Sequence, residues 1–183
     1  MNRITDELYE RYSTNLASMA GECVRTNKQG LGKAVADVYV AAGITEACVA
    51  VSPLLEEAGV VDALKAAGIA VYTDHIRKNI ETVKGGVSEV QYGIADLGTL
   101  VQAHTDADCR IVATASEHYI GVVKGSTIVG DIDDMFDVLC ELPELPNFVG
   151  FMTGPSRTAD IECVTTVGVH GPLKLTAIVV DDE

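Results

Sequence analysis

The chain has 183 residues, 48% apolar and 22% charged, the composition of one globular domain with a sizeable core rather than a disordered segment. Its formal charge of −14, part of it in the Asp181-Asp182-Glu183 tail, argues against nucleic acid or an anionic membrane as the main partner. The five cysteines, Cys23, Cys48, Cys109, Cys140 and Cys163, lie far apart and form no Cys-x-x-Cys, so this chain alone is expected to build neither a zinc site nor an iron–sulfur cluster. Reduced, mostly buried thiols in a cytoplasmic protein are the expectation. The N-terminus lacks a leader-like apolar core, and no apolar run reaches membrane-spanning length.

In chain order, Leu8, Tyr12, Leu16 and Met19 recur at helical spacing, predicting a helix over about 4–20. A short strand is expected at 22–25, then a Gly30-Leu31-Gly32-Lys33 turn before a helix at 34–42. That turn lacks the third glycine of a dinucleotide fingerprint, and Lys33 lacks phosphate-loop spacing. Residues 47–51 form a β-branched strand. Ser52-Pro53 starts a helix over 54–67, closed by Gly68 before a strand at 69–72. This strand–helix–strand spacing predicts a largely parallel sheet with helices on its faces. His75 falls at the carboxyl end of that strand, where open α/β sheets place ligands.

Ser88 is expected to cap a helix reaching Ala95, which stops at Gly98 before a strand at 99–102. Two further strands are expected at 110–113 and 119–123, flanking Ser116-Glu117-His118, with His104 on a surface turn. Acidic residues from Asp131 to Asp134 open a helix to about Leu142. Residues 147–152 read as a buried strand, and 174–180 as the last strand. No internal repeat or linker divides residues 1–183, which are expected to form a single domain.

The most concentrated chemistry is Gly154-Pro155-Ser156-Arg157-Thr158-Ala159-Asp160-Ile161-Glu162, followed by His170-Gly171-Pro172. Gly154-Pro155 forces a turn. Ser156 or Thr158 can cap a short helix over 161–164, with Asp160 and Glu162 in its first turn. Free N–H groups at that helix start, beside Arg157, would suit a carboxylate or phosphate. The alternative is a capped helix whose Arg157 pairs with its own Asp160 or Glu162.

Gly-Pro-Ser-Arg-Thr-Ala-Asp-Ile-Glu, then Val-Gly-Val-His-Gly-Pro before a final apolar strand, resembles the signature of the LUD domain, the family of lactate-utilisation protein C and its relatives. A second stretch, Gly86-Val87-Ser88 through Ile94-Ala95-Asp96-Leu97-Gly98-Thr99, is similar to another family pattern, with Leu97 where a threonine is usual. Glu117-His118 are retained, and Ser116 stands in place of a proline. The resemblance implies a three-layer α/β/α fold with an open, largely parallel sheet of the NagB/RpiA/CoA-transferase-like type. It also implies a part in oxidising lactate to pyruvate with partner subunits, one carrying iron–sulfur clusters.

On that reading a small carboxylate such as lactate or pyruvate docks at Gly154, Ser156, Arg157 and Thr158. Asp160 and Glu162 contact it or orient Arg157, and Gly98, Thr99, His118 and Gly171 complete the site. His170, Asp96 and Glu117 are the catalytic candidates. No metal ligand or bound cofactor is expected, and a homo-oligomer is compatible with the sequence. Two alternatives stay open: a free-standing enzyme on sugar phosphates or acyl-CoA with Glu117 or Asp96 as base or nucleophile, and a noncatalytic binding or assembly subunit.

Overall fold

A computed structural model describes residues 4–158 and 166–181. Helix α1 (Asp6–Ser18) is capped by Thr5, whose hydroxyl accepts from the Leu8 N–H at 3.2 Å. Strand β1 (Glu22–Asn27) runs directly into α2 (Lys28–Ala42). The Asn27 side chain accepts from the Gly30 N–H at 2.8 Å, so the helix begins at Lys28 rather than at 34 and absorbs the supposed glycine turn. Gly32 then lets α2 pack closely, since a Cβ there would lie 2.9 Å from the Ala58 carbonyl oxygen. After β2 (Glu46–Ala50), the single helix expected over 54–67 is two: α3 (Pro53–Glu57), capped by Ser52, and α4 (Val60–Ala66). Gly59 separates them at φ +63°. Strand β3 (Ala70–Tyr72) and the one-turn α5 (Ile76–Asn79) follow.

The main departure from expectation comes next. Residues expected as a Ser88-capped helix form β4 (Gly85–Val90) and β5 (Tyr92–Ile94), which leads through a turn to β6 (Thr99–Ala103). Ser88 caps nothing; its hydroxyl is buried against that of Tyr119 at 2.7 Å. The strand expected at 110–113 is instead part of α6 (Ala107–Ala115), because Asp106 accepts from the Asp108 N–H and Cys109, Val112 and Ala113 bury one helical face. Strand β7 (His118–Lys124), a 3-10 turn (Gly125–Thr127) and β8 (Ile128–Val129) precede α7 (Ile132–Glu141), which Asp131 and Asp134 start with a reciprocal capping box. Strand β9 (Val149–Met152) is not the buried strand expected but an edge strand with Phe151 exposed. Two short strands, β10 (Arg157–Thr158) and β11 (Thr166–Val167), pair antiparallel before β12 (Lys174–Asp181).

Six strands make one open, wholly parallel sheet in the order β1-β12-β7-β4-β2-β3. Alternate residues along its strands feed two apolar layers. Tyr119, Val123, Leu175 and Ala177 pack with Tyr12, Leu16 and Val112 on one face. Ile120, Val122, Ile178 and Val180 pack with Leu31, Val35, Leu55 and Leu64 on the other. The result is a three-layer α/β arrangement. A second sheet, β8-β5-β6-β9, lies on the α1 side, and α7 buries Met135 and Leu139 against its Ile94 and Val101. The sequence reading did not foresee this second sheet. Among the described residues no helix is long and apolar enough to cross a membrane.

His118 opens β7 on the α2 side, 4% exposed, with its ring edge-on to Tyr39 at 5.5 Å. Its Nε2 lies 2.9 Å from the Thr176 hydroxyl, which donates to Glu22 Oε2 at 3.3 Å. With that proton committed to Glu22, Nε2–H donates to Thr176, and Nδ1 is buried without a partner among the described residues. Burial lowers the His118 pKa below the usual 6.5; Glu22 opposes this and Lys174 adds to it. The neutral ring is therefore favoured in the fold, and the unfolded chain takes up the proton first. His118 contributes in full above the usual histidine pKa and loses its contribution as pH falls from there toward the lower folded value. Urea unfolding of wild type and His118→Asn at about pH 8, 6.5 and 5 is expected to show an extra acid-side loss in wild type alone; parallel profiles would refute this account.

Candidate functional site

Five elements converge on one open cavity of about 400 Å³ at the amino ends of β7 and β12. Its polar wall is the signature segment: Thr153, Ser156, Arg157 and His170, with Gly154 and Gly171 between them. The apolar wall comes from Met19 at the end of α1, Ala113 on α6, Phe151 and Met152 on β9, and Leu175 on β12.

Local geometry explains how this wall is assembled. Gly154 turns the chain at φ +73°, and any Cβ there would overlap the Met19 carbonyl oxygen. Only glycine allows that approach without strain. Ser156 then joins the two signature blocks: its N–H donates to the Pro172 carbonyl at 3.0 Å, and its carbonyl accepts from Gly168 at 2.9 Å. Its hydroxyl oxygen accepts from the His170 N–H at 3.2 Å, leaving the hydroxyl proton for another acceptor. Arg157 is exposed, and its guanidinium donates to the Met19 carbonyl at 3.2 Å.

The signature therefore does not use Ser156 as a helix cap. Arg157 and Thr158 continue in extended β10, so donors to a ligand come from side chains on a hairpin rather than from a helix start at Ser156. Asp160, Glu162, Cys163 and the helix expected over 161–164 lie outside the described residues.

Of the other site candidates, only Thr99 underlies this cavity. Its hydroxyl is buried 2.5 Å from that of Thr153, which lines the wall. Gly98 faces elsewhere, with φ +59° and no room for a Cβ beside the Leu16 backbone. Asp96 pairs with Arg11 at 3.1 Å. Glu117 lies 3.5 Å from Lys84 and lines a separate depression of about 200 Å³ with Lys84, His118 and Lys174. His118 belongs to the opposite face of the sheet. His170, Asp96 and Glu117 are thus not gathered at one cavity, because each is committed to a different turn.

At the carboxyl ends of the strands lies a depression of about 600 Å³, lined in part by Lys28, Glu57, Lys124 and Asp181. Lys28 is ion-paired to Glu57, whose pKa it lowers. His75 lines neither this depression nor the signature cavity; it is exposed at φ +50° beside Asp74. Cys23, Cys48 and Cys109 have thiols pushed up to about 11 by burial and stay protonated at neutral pH. Of the four described cysteines, Cys48 and Cys109 are buried as expected, Cys23 is partly buried, and Cys140 is exposed, contrary to the expectation. His104, Asp106 and Cys109 lie close enough to share a cation, but the Asp106 N–H already donates to His104 Nδ1, and Asp106 caps α6. Helix initiation accounts for that cluster.

Met19, Thr153 and Phe151 were not legible as site residues. Their only sequence signals were the residues adjoining them: Gly154, and the Ala20-Gly21 end of α1. Ala20 sits at φ +64°, a left-handed conformation that costs a non-glycine residue about 1 kcal/mol. Two opposite outcomes follow from this junction. Ala20→Gly is expected to raise unfolding free energy by about 0.5 kcal/mol, relief of strain outweighing the freer unfolded chain. Gly154→Ala is expected to lower it by at least about 2 kcal/mol through overlap and backbone strain. Denaturant titration measures both, and a neutral Gly154→Ala would contradict the close approach to Met19.

Comparison with known proteins agrees with this architecture. The LUD domain model matches residues 9–180. Lactate utilization protein C of a Geobacillus species is 31% identical, the match covering 97% of this chain and 80% of that protein. Lactate utilization protein C of Anoxybacillus flavithermus is 29% identical over 96% of this chain and 86% of its own length. A crystal structure of a DUF162 family protein from Deinococcus radiodurans superposes with a TM-score of 0.70 at 16% identity, covering 95% of this chain and 96% of that one. The chain belongs to the LUD domain family.

Proposed function

We propose that this protein serves in lactate utilisation by binding a small carboxylate, such as lactate or pyruvate, in the signature cavity. The observation that carries the reading is the convergence of Arg157, Ser156 and His170 on one cavity with an apolar opposite wall. A guanidinium and a hydroxyl are the groups suited to a carboxylate, and an imidazole can donate to a 2-hydroxyl or 2-oxo oxygen or move its proton. The names of the relatives support the metabolic setting. Oxidation of a hydroxy acid also needs an electron acceptor. In this proposal iron–sulfur clusters in partner subunits supply it, and this chain supplies the binding and orientation of the acid.

Sugar-phosphate or acyl-CoA chemistry with Asp96 or Glu117 as base fits less well, because both carboxylates are ion-paired away from the cavity. Thermal unfolding with lactate, pyruvate, a sugar phosphate and an acyl-CoA distinguishes the readings. At about a hundredfold excess over Kd, a ligand specific for the folded state stabilises by about 2.7 kcal/mol, roughly 5–10 °C in Tm for a chain of this size. The expected result is such a rise with lactate or pyruvate that disappears in Arg157→Ala. A rise confined to sugar phosphate or acyl-CoA would favour the free-standing enzyme, and no rise with either carboxylate would remove the carboxylate reading for the isolated chain.

A further inference from the structure

Helix α7 carries two adjacent surface stripes. Ile132, Phe136 and Cys140, four residues apart, form an exposed apolar line; Ile132 is 41% exposed and Phe136 50%. Asp133, Asp137 and Glu141 form an acidic line one residue further round the helix. The side opposite the acidic line is already committed, with Met135 and Leu139 buried on the second sheet. Among the described residues none of the three carboxylates has an ion-pair partner.

The apolar line does not stop at the helix. Phe136 packs against Phe151 with ring centroids 6.4 Å apart, and Phe151, itself 43% exposed, lines the signature cavity. Exposed aromatic and aliphatic side chains joined into one surface are characteristic of protein contact sites. The acidic flank selects among occupants. An anionic membrane or nucleic acid would meet like charge. A two-fold contact with a second copy would present the same surface, acidic and without Lys or Arg on α7, so the stripe would meet no basic group there.

We propose that α7 and Phe151 form a docking surface for a different protein, one presenting an apolar patch rimmed by Lys and Arg. Its apolar centre covers Phe136 and Phe151, its basic rim meets Asp133, Asp137 and Glu141, and it closes one side of the signature cavity. The inference rests on the reading that the chain works within an assembly, and not on the identity of the cavity ligand.

The test places a photo-crosslinking benzoylphenylalanine at position 136 in the cells that normally make the protein, and separately at Val40, which is exposed on α2. The expected result is an adduct from position 136 to one other protein, through a peptide mixing apolar with Lys or Arg residues. That protein, once purified, is expected to bind the wild type with an affinity that falls as salt is raised. It is expected to lose about tenfold or more with Asp137→Lys/Glu141→Lys. Both substitutions are at exposed positions, and unchanged thermal unfolding checks that the fold is kept. Binding indifferent to these charges, or an adduct to a second copy, overturns the proposal. Adducts from position 40 alone overturn this surface and leave the assembly reading standing, whereas adducts from neither position overturn both.

Discussion

The insertion of β12 between β1 and β7 is the constraint from which the rest follows. Parallel pairing on both sides means the chain must enter β12 at the amino end of the sheet. It arrives from β9, the edge of the second sheet, so the intervening signature has to cross from one sheet to the other. The Glu117 carbonyl fixes the landing point by accepting from both Leu173 and Lys174. The cavity lies at that crossing, beside the amino ends of β7 and β12 rather than the carboxyl ends favoured in many open α/β sheets. Chain threading sets its position, and the side chains of the crossing segment set its chemistry.

Helix α1 supplies the surface against which the crossing is packed. Its last two turns receive two glycines: Gly98 comes against the Leu16 backbone and Gly154 against the Met19 carbonyl. Asn15 adds a bond from its side-chain amide to the Ala95 carbonyl at 2.9 Å. The same Met19 carbonyl accepts from Arg157, which limits where the guanidinium can reach. Gly98 and Thr99 are thus tied to the signature through α1 and Thr153, although they contact the cavity indirectly. A substitution in this helix end moves both motifs at once, which links a stability effect to a positional effect on the candidate site.

What could be read from the sequence depended on whether the signal was local. Capping is local, so α7 after Asp131 was legible within two residues, as α1 was from its period; the caps at Asn27 and Asp106 were passed over, the first in favour of the glycines behind it. The family motif likewise located the cavity, bringing Ser156, Arg157, His170, Gly154 and Gly171 together in advance. Strand β4 was misread because Ser88 before an apolar run looks like a cap. Its hydroxyl instead satisfies Tyr119 across the sheet, a contact 31 positions away. The second sheet was invisible for the same reason: short strands such as β5 and β8 have too few residues to show a period. Asp96, Glu117 and His118 were grouped by chemical type, and only the topology separates them onto three different turns and faces.

Charge ties the cavity to the surface beside it. A chain of formal charge −14 presents an unfavourable long-range field to a carboxylate, and Arg157 dominates only within about the 8–10 Å Debye length at moderate salt. Asp133, Asp137 and Glu141, which have no ion-pair partner among the described residues, sit on the side of the cavity marked by Phe136 and Phe151. A basic partner seated there would neutralise them, and its apolar centre would exclude water from the mouth of an open cavity, strengthening every polar contact inside. By linkage, an anion held at Arg157 would then favour the partner by the same factor that the partner favours the anion. On the proposed docking, the open cavity and the acidic helix are two parts of one arrangement, in which the candidate site would gain affinity when the second surface is occupied.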